Sequence, residues 1–319
     1  MAVLVTGGAG LLGAALVHLL LEKGEQGLAV LDTSDSPERL VDVGDRIDYI
    51  RGDLADPGSV SGTIDNVRPE VVYHLGALLG ALCDEQPERA MQVNAHGTFY
   101  VLDAARRFDV RQVLFASSVA TFGLDLQEEI MRDNSLQRPV SFYGVTKLFS
   151  EGAGLFFKRK HGLDFRSIRF PSIVGTGVNL RVGGIVTYTS AMIEESIKGN
   201  PYTVIVGPHT RIPLLYTTDA ARAMFELARA PREKIKTVNY LIDGVKPTPS
   251  AKELARMVRA KVPGAEIGFQ PDEQWKPILE MIALPIDDSR ARKEWGWIPE
   301  YDYEKIIDCF LQLSPGGQR

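Results

Sequence analysis

Tyr143 and Lys147 stand four residues apart in the run Tyr143-Gly144-Val145-Thr146-Lys147, and on a helix that spacing stacks both side chains on one face. A phenol beside an ammonium makes an acid/base pair. A free tyrosine titrates near pH ~10, too high to accept a proton at neutral pH, but a neighbouring positive charge favours the phenolate. A hydroxyl suited to the reacting oxygen lies upstream. Val113-Leu114-Phe115-Ala116-Ser117-Ser118 reads as a buried strand ending in two serines, and the carboxyl ends of strands in open α/β sheets are where ligands collect. Ser118 is expected to hold the reacting oxygen, Tyr143 to move its proton and Lys147 to tune Tyr143. Taken alone, the Tyr/Lys spacing equally suits an exposed surface pair; other features must decide.

The deciding feature is at the start of the chain. Thr6-Gly7-Gly8-Ala9-Gly10-Leu11-Leu12-Gly13 places glycines at GxxGxxG spacing between a strand and an amphipathic helix. A side chain at Gly7 or Gly10 would block the close approach of a pyrophosphate to the positive amino end of that helix, whose first residues are Leu11 and Leu12. The second strand ends in Ala29-Val30-Leu31-Asp32, which places a carboxylate about 20 residues on, where it can accept bonds from ribose hydroxyls. Asp32 would repel a 2'-phosphate, so NAD is expected rather than NADP. An oxidised nicotinamide beside Tyr143 would favour its phenolate further.

These residues need a sheet to carry them. Short β-branched runs at Val3 to Val5, Leu28 to Leu31, Ile47 to Ile50, Val71 to Leu75, Val113 to Ala116 and Phe165 to Arg169 alternate with helical stretches. The helices are expected at Leu11 to Lys23, Pro57 to Val67, Pro87 to Phe108 and Tyr143 to His161. The alternation predicts α/β architecture, a doubly wound parallel Rossmann sheet with right-handed crossovers. After Pro171, glycine and proline thicken and the strands become isolated. A division into an NAD-binding Rossmann domain at 1–170 and a smaller, mainly substrate-binding carboxyl-terminal region at 171–319 follows, with no linker between them.

Composition excludes several classes. The 319 residues are 45% hydrophobic and 24% charged, enough to bury a core, and the formal net charge of -5 lacks the basic footprint of a nucleic-acid binder. Cys83 and Cys309 are the two cysteines, without metal-ligand spacing, so neither a metal site nor a disulfide scaffold is expected. The first strand begins at once, without a basic leader, and no apolar run approaches a membrane span. A soluble cytoplasmic protein with no membrane partner is the expectation. His74, in the apolar run Val71 to Leu75, reads as a hydrogen-bonded core histidine, and Trp295 and Trp297 as packing.

With these motifs assembled, the chain resembles the extended short-chain dehydrogenase/reductase family, also described as the NAD-dependent epimerase/dehydratase family, over nearly all its length. The resemblance rests on Thr6 to Gly13, Asp32, Gly52-Asp53-Leu54, His74-Leu75-Gly76-Ala77, Asn94-Ala95-His96-Gly97-Thr98, Ser117-Ser118, Tyr143 with Lys147, and Arg169-Phe170-Pro171. It implies that Asp53 and Leu54 flank the adenine and that Leu75, Gly76 and Ala77 line the cofactor path. It further implies that Asn94, Ser117, Phe170, Ser172 and Ile173 lie in the cofactor site. Gly76 stands where the family usually has alanine, a change expected to loosen packing.

The second half is most similar to the L-threonine 3-dehydrogenase branch, through Asp164 to Pro171, Thr210 to Tyr216, Asp219-Ala220, Lys246 to Pro249 and Asp287 to Trp297. This implies NAD-dependent interconversion of a secondary alcohol and a ketone on a small polar substrate. The branch's substrate-holding Gly-Thr-Thr-Asp-Tyr stretch corresponds to Gly184-Ile185-Val186-Thr187-Tyr188, so Gly184, Ile185, Val186 and Thr187 are expected at the substrate with Ser118 and Tyr143. Two hydroxyls have become apolar there, and a less polar alcohol than threonine is expected to be favoured. The alternative is a nucleotide-sugar 4-epimerase or dehydratase with tightly bound NAD. By the same resemblance, the helices at Pro87 to Phe108 and Tyr143 to His161 form the four-helix interface of a homodimer.

Overall fold

The computed structural model describes residues 2–178, 185–273 and 283–313. Its centre is a seven-stranded parallel sheet. Six strands come before Pro171: β1 (Val3–Thr6), β2 (Leu28–Asp32), β3 (Asp48–Arg51), β4 (Val71–His74), β5 (Gln112–Ser118) and β6 (Asp164–Phe170). Two short strands, β7 (Ser172–Val174) and β9 (Leu214–Tyr216), pair with each other, as do β8 (Tyr202–Val204) and β11 (Ile267–Phe269). The order across the main sheet is β10-β6-β5-β4-β1-β2-β3, with β10 (Asn239–Leu241) at one edge. Every residue of β1, β4 and β6 is buried, because helices cover both faces and continuous apolar strands are what such a sheet requires.

One face is covered by α1 (Leu11–Glu22), whose Leu16, Val17 and Leu20 pack with Val3, Val5 and Val30 of the sheet. The other is covered by α2 (Pro57–Val67) and by the chain from Pro87 onward. That second stretch is not one helix, as its periodicity suggests. It runs as α4 (Pro87–Ala90), one π-helical turn (Met91–His96) and α5 (Gly97–Arg107), preceded by the short α3 (Gly80–Glu85). A π turn inserts one residue into the ladder and re-aims the side chains within it, here Asn94.

The long helix α6 (Phe142–His161) begins one residue earlier than expected, with Ser141 capping it by accepting from the Gly144 amide at 3.1 Å. Beyond it come α7 (Tyr188–Ile197), α8 (Thr217–Arg229), α9 (Ala251–Lys261), α10 (Ser289–Trp295) and α11 (Tyr303–Leu313). The chain after Pro171 divides its work. Ala220, Ala223, Met224 and Leu227 of α8 share the core of α1, and β10 extends the sheet beside β6. In contrast α7, α9 and α11 close a separate core around Met192, Leu254, Val258 and Ile307. Trp297 is fully buried in the α1 core, its Nε1 donating to the Asp243 carbonyl at 3.1 Å, and Trp295 packs on it.

Candidate active site

The strand-to-helix turn after β1 is shaped by Gly7, at φ +72. A Cβ there would lie 2.5 Å from the backbone of Gly76, so the first and fourth strand ends can meet only without one. At Gly76 itself an added carbon would meet the Leu54 side chain at 2.7 Å. The expected loosening does not occur, because Leu54 occupies the space an alanine methyl would take. Gly10 caps α1 without any side-chain bond, leaving the first amides of the helix, those of Leu11 and Leu12, without intrahelical acceptors. Asp32 accepts from the Ala9 amide at 2.9 Å through one oxygen and from the Ser34 amide at 3.1 Å through the other. Each oxygen keeps a lone pair, so the carboxylate both fixes the glycine turn and can still accept from a diol.

From this turn a cavity of about 810 Å³ runs along the carboxyl end of the sheet. It is lined by Gly7, Gly10, Leu11, Leu12, Asp32, Asp53, Leu54, Leu75, Gly76, Ala77, Ser117, Ser118, Tyr143, Lys147, Phe170, Ser172, Ile173, Val186 and Thr187. All the residues just named were expected from sequence at one site, and they line one cavity. An elongated cavity with a glycine cradle, an uncapped helix terminus and an acidic strand end fits a dinucleotide.

Asp53 is ion-paired with Arg89 at 2.5 Å and accepts from the Ala55 amide. Partial burial works against its charge, but the Arg89 and Ala55 bonds hold its carboxyl below the usual range. Asn94 departs from the expectation. Its amide accepts from the Leu78 amide at 2.7 Å and donates to the Leu78 carbonyl and to Thr146 Oγ1, both at 3.0 Å. With both hydrogens and the oxygen engaged, its side chain clamps the loop after β4 to α6 and does not line the cavity. Ser117 lines the cavity, yet its hydroxyl donates to Glu151 Oε1 at 2.6 Å. Gly184 lies outside the described residues, and only the backbone of Ile185 is described, in the turn Ile185–Thr187. Ser172 Oγ donates to the Val186 carbonyl at 3.1 Å, anchoring that turn to β7.

The end of the cavity with Ser118, Tyr143 and Lys147 is assembled by close approach. A Cβ on Gly144 would lie 2.0 Å from the Ala120 carbonyl, so α6 can start against the turn that follows Ser118 only with glycine there. Ser118 Oγ accepts from the Ala120 amide at 3.1 Å, which leaves its proton to donate. Burial drives the Tyr143 phenol well above its ordinary pKa, Cys83 adds to this, and its bond with Ser118 opposes it. Lys147 Nζ donates to the Ala116 carbonyl at 2.7 Å and lies 5.5 Å from the centre of the Tyr143 ring. Burial pushes its pKa down to about 8, with Cys83 and Glu151 opposing. Beside a buried ammonium and a donor hydroxyl, the phenol can give its proton to a carbonyl oxygen and, once ionised, take one from an alcohol.

His74 is buried and not part of this set. It is bonded to Thr6 Oγ1 at 2.7 Å and Thr98 Oγ1 at 2.9 Å, and burial together with Lys147 pushes it down to about 3. Among the cavity groups that were not anticipated are Arg39, Asp84 and Arg89. Arg39 donates to the Gly177 carbonyl at 2.7 Å, and Asp84 accepts from the Phe142 amide at 2.8 Å. Arg89, two residues after a helix-starting proline, carried no signal beyond an ordinary first-turn residue. The cavity lining also includes the apolar Leu79, Val119, Ile212, Pro213 and Ile286 along with Val186 and Thr187.

Comparison with known proteins follows the same lines. The model of the NAD dependent epimerase/dehydratase family matches residues 3–242. A mitochondrial L-threonine 3-dehydrogenase of Bos taurus is 31% identical over 318 residues, covering 99% of this chain and 83% of its own length. The structure of L-threonine 3-dehydrogenase from Trypanosoma brucei superposes with a TM-score of 0.89 at 27% identity, covering 99% of this chain and 97% of that one. A UDP-glucose 4-epimerase from Thermotoga maritima, at 20% identity and a TM-score of 0.84 over 97% of this chain and 98% of its own, shares the fold.

Proposed function

The chain belongs to the NAD-dependent epimerase/dehydratase family, and we propose that it is an NAD-dependent oxidoreductase resembling L-threonine 3-dehydrogenase, which oxidises a secondary alcohol on a small substrate. The observation that carries this reading is the meeting of Ser118, Tyr143 and Lys147 on one cavity with the glycine turn and Asp32. NAD, when bound, would supply the hydride acceptor. Gly7, Gly10 and the first amides of α1 would hold its pyrophosphate and Asp32 a ribose. Ser118 donates to the reacting oxygen, Tyr143 as the phenolate takes the hydroxyl proton, and the positive charges of Lys147 and of bound NAD would lower the cost of that phenolate. In this reading the sheet with its glycine turn, 1–170, binds the cofactor, and 171–319 mainly shapes the substrate end.

Two relatives at 30% identity or more, from Bos taurus and Sus scrofa, are L-threonine 3-dehydrogenases, which favours this reading over sugar epimerisation. The apolar surface around Val186 favours an alcohol less polar than threonine. NAD reduction measured against β-hydroxy amino acids, hydroxy acids, simple secondary alcohols and nucleotide sugars tests the proposal. Turnover of none of the alcohols, with interconversion of a nucleotide sugar, would replace it by the epimerase reading.

Two further elements belong to the proposal. Phe99 on α5 and Val145, Phe149 and Phe156 on α6 are each more than 40% exposed, an apolar face that a second copy would cover as a four-helix homodimer interface. Sedimentation at micromolar concentration reads the mass directly. Both cysteines are free, which suits a cytoplasmic enzyme, and among the described residues no helix is long and apolar enough to cross a membrane.

A further inference from the structure

Glu151 stands one turn beyond Lys147 and two beyond Tyr143, on the same face of α6, and is 1% exposed. A buried carboxylate must be paired and bonded to be tolerated, and this one is bonded by four side chains. Arg169 of β6 reaches Oε1 with Nε at 2.8 Å and Oε2 with Nη2 at 2.7 Å. Ser117 Oγ donates to Oε1 at 2.6 Å, while Gln137 and Asn239 donate to Oε2 at 3.0 and 3.2 Å. The Arg169 fork is held in turn by the Asp133 carbonyl at 2.7 Å and by the Phe122 ring. Such a cluster could serve stability alone. Its placement argues for more.

The last three residues of β5 are Ala116, Ser117 and Ser118, and α6 grips two of them by successive turns. Lys147 Nζ holds the Ala116 carbonyl and Glu151 holds the Ser117 hydroxyl. Ser118, the third, is left to face Tyr143. We propose that Glu151 is a positioning residue for the reaction, fixing through Ser117 the strand end that carries Ser118 against the helix that carries Tyr143 and Lys147. The proposal rests on the reading of Ser118, Tyr143 and Lys147 given above.

Electrostatics give it a second readout. The charged and titratable groups around Lys147 are Tyr143 and Glu151 on its own helix, Cys83 on α3, His74 on β4 and Arg169 on β6 behind Glu151. Glu151 holds the Lys147 ammonium up against burial. Without its charge, the Tyr143/Lys147 pair sees an unbalanced Arg169, and both proton losses of the pair become easier.

The experiment uses the full chain with NAD and L-threonine, or the alcohol of the panel above that is oxidised fastest. Ser117→Ala breaks the link and leaves Glu151 paired with Arg169. It is expected to lower kcat by about 10- to 100-fold with the chain folded and NAD affinity within about twofold, and Ser117→Thr should recover most of the loss. Glu151→Gln is expected to move both limbs of the pH-rate profile toward acid by about half to one unit. Ser117→Ala at parental kcat overturns the proposal, as does a folded Glu151→Gln with an unmoved profile. If Glu151→Gln does not fold, Ser117→Ala decides alone. Tyr143→Phe is measured beside them. If it is inactive while Ser117→Ala is unimpaired, positioning by Glu151 fails and the reaction assignment stands; if it keeps full activity, the assignment itself fails.

Discussion

The wall that carries Ser118, Tyr143 and Lys147 is made by the end of β5 and one face of α6, where side-chain bonds fix each polar group in the interior. Val186, Leu79, Ile212, Pro213 and Ile286, from segments outside the main sheet, give the same cavity its apolar lining. The first wall is set by hydrogen bonds, which are directional, and the second by shape and water exclusion, which are not. Rate should therefore be sensitive to changes in the first, and substrate choice to changes in the second.

The largest effect expected is on the first wall. Tyr143→Phe should lower kcat by about 100-fold or more while NAD binding persists, as loss of a general acid/base does. Equal turnover in stopped-flow assays would erase the distinction between the walls. Behind the same wall, His74 is held neutral by burial and Lys147, with a pKa near 3 against an ordinary 6.5. The unfolded chain binds that proton first. Stability is therefore complete above pH ~6.5 and falls as pH drops toward 3, by ~2 kcal/mol at pH 5. Urea unfolding at pH 7 and pH 5 measures it, and a His74→Gln chain should lose less over that interval.

For the second wall, Val186→Thr should raise kcat/KM for L-threonine by about fivefold, since a restored hydrogen bond in a closed site is worth ~1 kcal/mol or more. Efficient threonine oxidation by the parent chain, at ~10⁴ M⁻¹s⁻¹ or above, would show that other groups hold the zwitterion. The smallest effect lies at the far end of the cavity. Asp32→Ala should narrow the preference for NAD over NADP severalfold by removing a repulsive charge, read by titration with each cofactor. Loss of binding to both would mean that its bonds to the Ala9 and Ser34 amides matter more than its charge.

The parallel sheet was legible because strands buried on both faces must be continuous apolar runs, and the glycine turn because backbone can approach backbone only there. Tyr143 and Lys147 were legible because helical periodicity fixes i and i+4 on one face. Asn94 was not, since nothing local announces the π turn that aims it at Leu78. The seventh strand was equally hidden. Asn239–Leu241 is three residues long, too short for a periodicity, and belongs to the sheet only because β6 pairs with it.

Local chemistry thus determined which residues can react and which elements bear them: the glycine spacing, the acidic end of β2, the serine pair closing β5 and the Tyr/Lys spacing are all short-range facts. Tertiary structure alone decided how they meet. Gly144 has meaning only against the Ala120 carbonyl, Gly76 only against Leu54, and Glu151 only once Arg169, Ser117 and Asn239 converge on it from three different strands. The physical reason is range. Propensity and periodicity act over a few residues, whereas a buried charge is satisfied by partners that the chain brings from dozens of residues away.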